Sequence, residues 1–298
     1  MAEKSLEQQL AELKWATRQR LQYIEIMAFY CGLVTRTDVA RAFAISDPAA
    51  TKDLNLYGKL APENLIYRQA LFGYTPAPGF EECVADLSPE AVLPMIAHNL
   101  TAMSGPYGTQ PIFSIPAESL PTPARLPDRA ITAQVLRAVA QKKKLLISYR
   151  SLSDRDSEAP RLIEPHALAH NGLRWHIRAY NEETFDFRDF VLSRIEAAQM
   201  VDTPSESSGE FDEEWMETIA LELAPHPALP ERKQRNLLMD YGAEGGLILI
   251  EVRRALLGYL LQQLHVDTTA DHSLNPHAYQ LIVANRDEVE PFAGWAFS

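Results

Sequence analysis

Three arginines in the middle of the chain are placed where they could bind an anion. Arg150, Arg178 and Arg194 lie on or beside short stretches that are typical of β-strands. A guanidinium on an inner or flanking strand of a small sheet needs an anionic partner, because a buried charge is costly when it is unpaired. That partner is either internal, such as Glu164 or Glu196, or an external phosphate or carboxylate. The residues alone slightly favour the internal ion pair.

Motifs that would indicate catalysis are missing from the sequence. It has no P-loop and no GxSxG, HExxH or GxGxxG pattern. The carboxylate runs at 212–214 and 287–288 are of the kind that usually forms a solvated face, and His265, His272 and His277 lack a spacing typical of metal ligands. We therefore expect no enzymatic activity, no metal and no cofactor. The alternative is a metal-dependent phosphoesterase that uses the carboxylate pairs.

One helix and four short strands would position the three arginines. Apolar periodicity predicts a helix over 131–141. Strands are predicted over 145–150, 161–169, 173–180 and 186–195, with a tight hairpin turn at 170–172. Alternation within the third strand sends Trp175 and Ile177 to one face and His176 and Arg178 to the other. Such a series favours a small, strongly bent sheet or barrel.

The N-terminal segment has the pattern of a helix-turn-helix. Helical spacing of apolar residues predicts a first helix that ends near Gly32 and a second helix over 36–44. A third helix starts at Pro48, whose missing N–H is tolerated in a first turn. Two short strands follow, over 64–68 and 71–74, where a wing would lie. We expect Tyr67 and Tyr74 to pack in the core of that wing and not to contact DNA.

The third helix has an apolar and a polar face. Ala50, Leu54 and Tyr57 fall on the first, and the second carries lysine, threonine and asparagine side chains that can reach phosphates or base edges. Asp53 would repel phosphate unless it is paired, for example with Arg41 or Lys52. Helix pairs of this kind also occur in proteins that bind no nucleic acid. The predicted DNA contacts are Ser46, Thr51, Lys52, Asn55, Lys59 and Arg68.

The charge of the chain is unevenly distributed. The 298 residues carry a formal net charge of -12, which at first counts against a nucleic-acid partner. Residues 201–298 account for most of it, with 17 acidic and 6 basic side chains, whereas residues 1–80 carry 8 acidic and 9 basic ones. The N-terminal segment can therefore hold a local basic surface, while the acidic third suits another role.

Composition also indicates the cellular compartment in which the protein is expected. The two cysteines, Cys31 and Cys83, form no CxxC motif, and no apolar run is long enough to span a bilayer. The first ten residues are polar and do not resemble a signal peptide. We expect a cytoplasmic protein without a disulfide or membrane segment.

Two stretches without periodicity divide the chain. Residues 114–128 are rich in proline, and residues 202–210 are small, polar and acidic. The predicted units are 1–78, a bridge and linker over 79–128, 129–201 and 211–298. The bridge holds a helix over 89–103. In the last unit, strands are predicted over 218–224, 247–253 and 279–284, and helices over 231–241 and 255–264, with a leucine stripe that forms core or a subunit contact.

The middle unit resembles a WYL domain. The resemblance rests on Tyr149-Arg150-Ser151, Glu164-Pro165-His166, Trp175-His176-Ile177 at the position of the name triplet, Arg178-Ala179-Tyr180 and the run from Phe190 to Ile195. His176 and Ile177 depart from the literal triplet. The resemblance implies an SH3- or Sm-like β-barrel that senses an anionic ligand, a nucleotide or nucleic-acid fragment. By position, the implied pocket residues are Tyr149, Arg150, Ser151, His166, Trp175, Arg178, Arg188 and Arg194.

The resemblance covers almost the whole chain. The helices and wing of the N-terminal unit are similar to the winged helix of WYL regulators that control phage-defence operons, and the last third is similar to their dimerisation domain. It implies an α+β multidomain fold: a winged helix-turn-helix, a WYL barrel and a small C-terminal α/β dimerisation domain. The implied function is that of a homodimeric repressor that binds double-stranded DNA at an inverted repeat. An activator, or an adaptor that binds no DNA, is the alternative.

Overall fold

The chain divides into two compact units, Met1–Pro121 and Thr122–Ser298. A computed structural model describes residues 5–102, 115, 120, 123, 125–152, 159–243 and 245–297. The predicted proline-rich linker over 114–128 lies largely outside these residues. Met103, the predicted end of the bridge helix, lies outside them as well.

The first unit consists of helices and a small antiparallel sheet. Its helices are α1 (Leu6–Ala11), α2 (Trp15–Cys31), α3 (Arg36–Phe43), α4 (Asp47–Leu60) and α5 (Pro89–Ala102). Its strands are β1 (Val34–Thr35), β2 (Leu65–Arg68) and β3 (Gly73–Pro76), arranged in the order β1-β3-β2. Helices α3 and α4 with the β2–β3 hairpin form the winged helix-turn-helix that the sequence predicts.

Local sequence signals explain where these helices begin and end. Helix α2 ends at Gly32, whose φ of 73° is in the left-handed region that favours glycine. Helix α3 begins with a capping box, in which the Thr35 hydroxyl accepts from the Asp38 N–H and the Asp38 carboxylate accepts from the Thr35 N–H. Strand β1 was not predicted, because two residues are too few to give an alternating pattern. Its Val34 is fully buried and pairs with Tyr74 of β3.

A buried carboxylate fixes the chain that follows the wing. Glu25 of α2 is fully buried, and it accepts hydrogen bonds from the backbone N–H groups of Cys83, Val84 and Ala85 at 2.6, 2.6 and 2.7 Å. Burial raises the pKa of Glu25, although these three bonds oppose the rise. The segment 83–85 is thereby attached to the helix that forms the core of the unit.

The second unit begins with one helix against a five-stranded sheet. Helix α6 (Arg129–Gln141) precedes β4 (Lys143–Tyr149), β5 (Arg161–His170), β6 (Trp175–Asn181), β7 (Asp186–Val191) and β8 (Ile195–Pro204). The antiparallel sheet has the order β7-β6-β5-β4-β8. Among the described residues β7 and β8 are edge strands, so the strand pairing is that of an open sheet and the closed barrel is not shown.

The core of this sheet confirms the predicted alternation on β6. Ile177 and Ala179 are fully buried with Val135 and Ala138 of α6. His176 and Arg178 lie on the opposite face, as expected. Trp175, at the end of the strand, is 40% exposed and remains outside the core.

The structure corrects the prediction at the end of the sheet. The strand predicted over 186–195 ends at Val191 as β7, and a 3-10 turn at Leu192–Arg194 separates it from β8, which was not predicted. Strand β8 continues into the stretch 202–210 that was predicted to be a linker. Only Ile195 of β8 is fully buried, so this edge strand lacks the apolar alternation by which a strand is detected.

The last part of the second unit is an α/β module. Strands β9 (Thr218–Pro225), β10 (Ile248–Arg253), β11 (Val266–Asp267) and β12 (Leu281–Val283) have the order β10-β9-β12-β11. Its helices are α7 (Glu213–Met216), α8 (Glu231–Asp240), α9 (Leu257–Gln263) and α10 (Arg286–Val289). Leu257 and Leu261 of α9 are buried, so the predicted leucine stripe is core.

Candidate nucleic-acid interface and candidate anion site

Helix α4 presents the polar face that the sequence predicts. Its inner side chains Ala50, Leu54 and Tyr57 are buried at 0, 4 and 0% exposure. The six predicted contact residues are all exposed: Ser46, Thr51, Lys52, Asn55, Lys59 and Arg68. Five of them lie on or just before α4, and Arg68 ends the wing strand β2. Basic and amide side chains at these positions can bind phosphates and read base edges.

One of the two acidic residues of this helix, Asp53, lies away from the exposed face. Asp53 is buried and paired with Arg20 of α2, whose Nε and Nη2 donate to the carboxylate at 2.6 and 3.3 Å. The sequence predicts a partner for Asp53 but proposes Arg41 or Lys52, and both are wrong. Arg20 lies 33 positions away, beyond the reach of a local pattern. Asp47, the other acidic residue of α4, pairs with Arg36 at 3.2 Å, so among the described residues no ion pair joins Lys52 or Lys59 to a carboxylate of α4.

The wing has a polar anchor at its base. The buried Asn64 amide donates to the Tyr57 hydroxyl at 2.9 Å and to the Glu81 carbonyl at 2.7 Å, and its oxygen accepts from the Glu81 N–H at 3.1 Å. This side chain joins α4 to the segment that follows the wing. Tyr67 and Tyr74 pack edge to face at 5.2 Å, but Tyr67 is 53% exposed, which contradicts its prediction as wing core.

Arg178 is neutralised by carboxylates of its own chain. Its Nε and Nη2 donate to Asp212 at 2.7 and 2.9 Å, and Nη2 also donates to Glu214 at 2.6 Å. Asp189 of β7 lies 3.6 Å from Nη1. Arg178 is 4% exposed and Asp212 only 1%, so this ion pair belongs to the interior. Asp212 was predicted to lie on a solvated face, and that prediction is wrong.

Asp212 also brings His166 into this ion-pair network. His166 Nε2 lies 3.0 Å from Asp212 Oδ2. Burial raises the pKa of Asp212, but the hydrogen bonds from His166 and Arg178 and the charge of Arg178 outweigh it and lower that pKa to about 2. His166 lines a neighbouring cavity of about 320 Å³ together with Lys142, Ser205 and Trp215.

A second buried network holds the stretch that was predicted to be a linker. Glu164 is 1% exposed and accepts hydrogen bonds from the backbone N–H groups of Glu206 and Ser207 at 2.6 and 2.5 Å. The Lys144 ammonium lies 3.1 Å from Glu164 and also binds Glu182. Glu164 was predicted as a partner for an arginine, but its ion pair is with Lys144. Residues 205–212 are therefore attached to the sheet by charge.

The other predicted pocket residues lie in separate places. Arg150 pairs with Glu196, one of its two predicted partners, at an exposed edge, and Arg188 pairs with Asp186 at 2.8 Å. The Tyr149 hydroxyl accepts from the Val191 N–H at 3.0 Å. Ser151 follows the end of β4, and Trp175 packs against His170 at 4.7 Å. His166 and Arg178 are thus brought together through Asp212, and Arg150 and Arg188 are not part of that group.

Several residues with a place in this site were not predicted. Tyr259 of α9 stacks on His176 at 4.8 Å, and its hydroxyl donates to Asp189 at 3.0 Å. Burial lowers the pKa of Arg174, next to Trp175, and the charges of Arg125 and Arg194 lower it as well. A basic residue directly before a strand gives no signal that separates it from an ordinary surface residue. The residues described include no group of three side chains that could hold a metal ion.

Comparison with known proteins identifies the three parts of the chain. Residues 16–98 match the BrxR transcriptional regulator winged helix-turn-helix domain, and residues 130–200 match the WYL domain. Residues 218–289 match the BrxR transcriptional regulator C-terminal dimerization domain. This combination defines a WYL-domain transcriptional regulator. In the part of the chain described, no helix has the length and apolar character that crossing a membrane requires.

Relatives of known function cover nearly all of the chain. It is 34% identical to the DNA-binding transcriptional repressor CapW of Escherichia coli (strain KTE188) over 277 residues, 93% of this chain and 91% of that protein. It is 32% identical to CapW of Pseudomonas aeruginosa over 93% of this chain and 92% of that protein. The chain therefore belongs to the WYL-domain transcriptional regulators of the BrxR and CapW type.

Among solved structures, the chain is similar to the proteasome accessory factor B/C (PafBC) of Arthrobacter aurescens. The identity is 18%, the TM-score is 0.25, and the match covers 97% of this chain and 48% of that one, so the chain spans about half its length. A TM-score this low carries no argument about fold or function.

Proposed function

We propose that this protein is a DNA-binding transcriptional repressor that acts as a homodimer on an inverted-repeat operator. The observation that carries the proposal is the exposed polar face of α4, on which Asp53 is paired inward with Arg20 and Asp47 is paired with Arg36. Its relatives are named as DNA-binding transcriptional repressors, and its last third matches a dimerisation domain. The proposed contacts are Ser46, Thr51, Lys52, Asn55, Lys59 and Arg68.

The test of DNA binding uses the DNA upstream of the chain's own gene. Wild-type protein should bind one sequence with a shift that survives moderate salt and an excess of unrelated duplex. The variant Lys52→Ala with Asn55→Ala should lose affinity by about 10- to 100-fold, because each base or phosphate contact contributes roughly 1–3 kcal/mol. Lys233→Ala, an exposed lysine on α8, is the control and should bind as wild type. Equal affinity in the double variant would contradict the proposed interface.

The dimer is proposed to form through the C-terminal module. Two winged helices related by a two-fold axis match two half-sites of a palindrome, and the spacing of those half-sites is then set by the dimer. Light scattering should give twice the chain mass, and deleting one half-site should weaken binding strongly. A monomer in solution that binds a single half-site with full affinity would contradict the proposal.

The WYL domain is proposed to regulate DNA binding through an anionic ligand, a nucleotide or a nucleic-acid fragment. The proposed units are 1–78, 79–128, 129–201 and 211–298, and a bent sheet or barrel in the third would carry the ligand. A ligand releases DNA only if it binds the DNA-free conformation more tightly than the DNA-bound one. The opposite sign would give an activator. The regulated genes are proposed to be a defence operon, on the family resemblance.

A further inference from the structure

The tip of the wing is exposed and apolar. The turn between β2 and β3 consists of a 3-10 turn at Gln69–Leu71 followed by Phe72. Phe72 is 78% exposed and Leu71 is 50% exposed, and Tyr67, on the strand that leads to the turn, is exposed as well. Single exposed apolar side chains are ordinary, whereas neighbouring ones mark an interaction site. The tip therefore has the character of a binding surface.

The backbone of Phe72 has an unfavourable conformation. Its φ of 48° and ψ of 35° lie in the left-handed region, which an aromatic residue rarely adopts and which glycine adopts without a steric cost. The next residue, Gly73, is a glycine for a different reason, because a Cβ there would come within 2.8 Å of Leu33 Cδ1 and 2.9 Å of Thr35 Cγ2. The chain thus keeps a bulky residue where the turn favours glycine, and such strain is typical of functional sites.

The small sheet fixes the position of this tip relative to the helix-turn-helix. Gly73 of β3 pairs with Thr35 of β1, and Thr35 is also the N-cap of α3. Tyr74 of β3 pairs with Val34 of β1 on one side and with Tyr67 of β2 on the other. The tip therefore projects from a three-stranded sheet whose first strand leads directly into the helix pair.

The charge beside the tip suits a polyanion. Arg68 is exposed at the end of β2, where it pairs in register with Gly73, and the five residues from Arg68 to Phe72 include no acidic side chain. An apolar side chain next to a cation is the combination by which proteins insert a wedge between base pairs in the minor groove while binding the flanking phosphates. Arg68 also joins the tip to the proposed contacts of α4, so duplex DNA is the partner that fits.

We propose that Leu71 and Phe72 form an apolar wedge that enters the minor groove beside the major-groove site of α4, unstacks one base-pair step and bends the operator. The inference rests on the proposed DNA binding and adds to it two contacts and a deformation of the DNA. The four residues of β2 span roughly 13 Å at about 3.3 Å per residue, a length on the order of half a turn of duplex DNA. The tip therefore lies far enough from the base of the wing to reach the next groove.

Bending and affinity are measured with the full chain on one duplex from upstream of its own gene. Energy transfer between dyes at the two ends of the duplex reports the bend, and gel shifts report the affinity. Leu71→Ala with Phe72→Ala should bind about 10-fold more weakly and leave the duplex straighter, with an unchanged salt dependence because no phosphate contact is lost. Phe185→Ala is the matched control, since Phe185 of the second unit is 76% exposed and has a φ of 55°, and it should behave as wild type.

Phe72→Gly separates a role in binding from a role in folding. Glycine adopts the left-handed conformation without strain, so this variant should unfold at the same urea concentration as wild type or at a higher one. It should nevertheless lose affinity and bending, as the alanine pair does. Phe72→Trp keeps a large ring and should retain both. A defect in folding does not produce this combination of results.

Three results would overturn the inference. The first is a wild-type protein that binds its operator without bending it. The second is full affinity and bending in the Leu71 and Phe72 variants. The third is a loss of the dimer in these variants, seen by light scattering, which would assign the tip to a contact between two copies of the chain. A wild-type protein that binds no upstream duplex specifically contradicts the proposed function itself, so the two failures are distinguishable.

Discussion

Arg174 and Arg178 lie four positions apart on or beside the same strand, yet their surroundings differ completely. Arg178 is enclosed by Asp212, Glu214 and Asp189, and its charge is used to hold the connecting segment against the sheet. Arg174 has no carboxylate partner among the described residues, and its pKa is lowered by burial and by the charges of Arg125 and Arg194. The charge of the first arginine is compensated by buried carboxylates, and that of the second has no internal counter-ion among the described residues.

The winged helix also contains both charges that are paired inside the fold and charges that are exposed. Arg20 and Asp53 neutralise each other inside the unit, while Lys52 and Lys59 are exposed on the same helix as Asp53. Lys52 and Lys59, two of the proposed DNA contacts, form no ion pair among the described residues.

Substitution of Arg178 should have the largest effect on stability. Arg178→Ala leaves the buried carboxylate of Asp212 without its cation, and breaking a buried ion pair in this way costs about 3–5 kcal/mol of the free energy of unfolding. Urea unfolding of the full chain measures it. Arg188→Ala removes a pair whose arginine side chain is 54% exposed, and it should cost less than about 1 kcal/mol. Similar costs for the two variants would refute the expected difference between a buried and an exposed ion pair.

The pH dependence of stability should report on the buried His176 of strand β6. The pKa of His176 falls from 6.5 to about 4 on folding, because the side chain is buried and lies near Arg174, Arg194, Arg125 and His170. The unfolded chain therefore takes up a proton at a higher pH than the folded one. Stability contributed by the neutral side chain is present above pH 6.5 and is lost as the pH falls toward 4, by about 3 kcal/mol in total.

His176→Phe provides the control for this measurement. Phenylalanine keeps the stack on Tyr259 and cannot be protonated, so the loss of stability between about pH 6.5 and about pH 4 should largely disappear. Asp212 does not confuse the result, since its pKa of about 2 places its own loss below pH 4. A variant that still loses about 3 kcal/mol in this window would show that other groups are responsible.

The parts of the fold that are determined locally could be predicted from the sequence. Gly32 ends α2 in a left-handed conformation, the alternation of β6 separates Ile177 from Arg178, and the apolar stripe of α4 is buried. Each of these depends on neighbours within one or two turns or on strand alternation. The resemblance to WYL regulators, which the comparisons confirm, adds the order of the domains.

The charge partners could not be predicted, because they are distant in sequence. Asp212 is 34 positions from Arg178, and Asp53 is 33 positions from Arg20. A run of acidic residues such as 212–214 usually forms a solvated face, and only the path of the connecting segment brings Asp212 into the interior. The edge strand β8 was missed for a related reason, since its polar residues carry no pattern that separates a strand from a linker.

The smallest effects should come from two variants of the winged helix. One should lower stability with little change in operator affinity, and the other should lower operator affinity with little change in stability. Asp53→Asn leaves Arg20 without its counter-ion, and it should cost about 1.5 kcal/mol of stability, the contribution of a charge-assisted hydrogen bond. Its operator affinity should change less than about 3-fold, because neither side chain of the pair is exposed enough to contact a phosphate.

Lys59→Ala should have the opposite pattern. Its stability should stay within about 0.5 kcal/mol of wild type, and its operator affinity should fall, with a salt dependence reduced by about one counter-ion. Urea unfolding and a salt series of gel shifts measure both quantities. If Asp53→Asn weakens operator binding as much as Lys59→Ala does while stability is unaffected, the Arg20–Asp53 pair belongs to the DNA interface and not to the folded core.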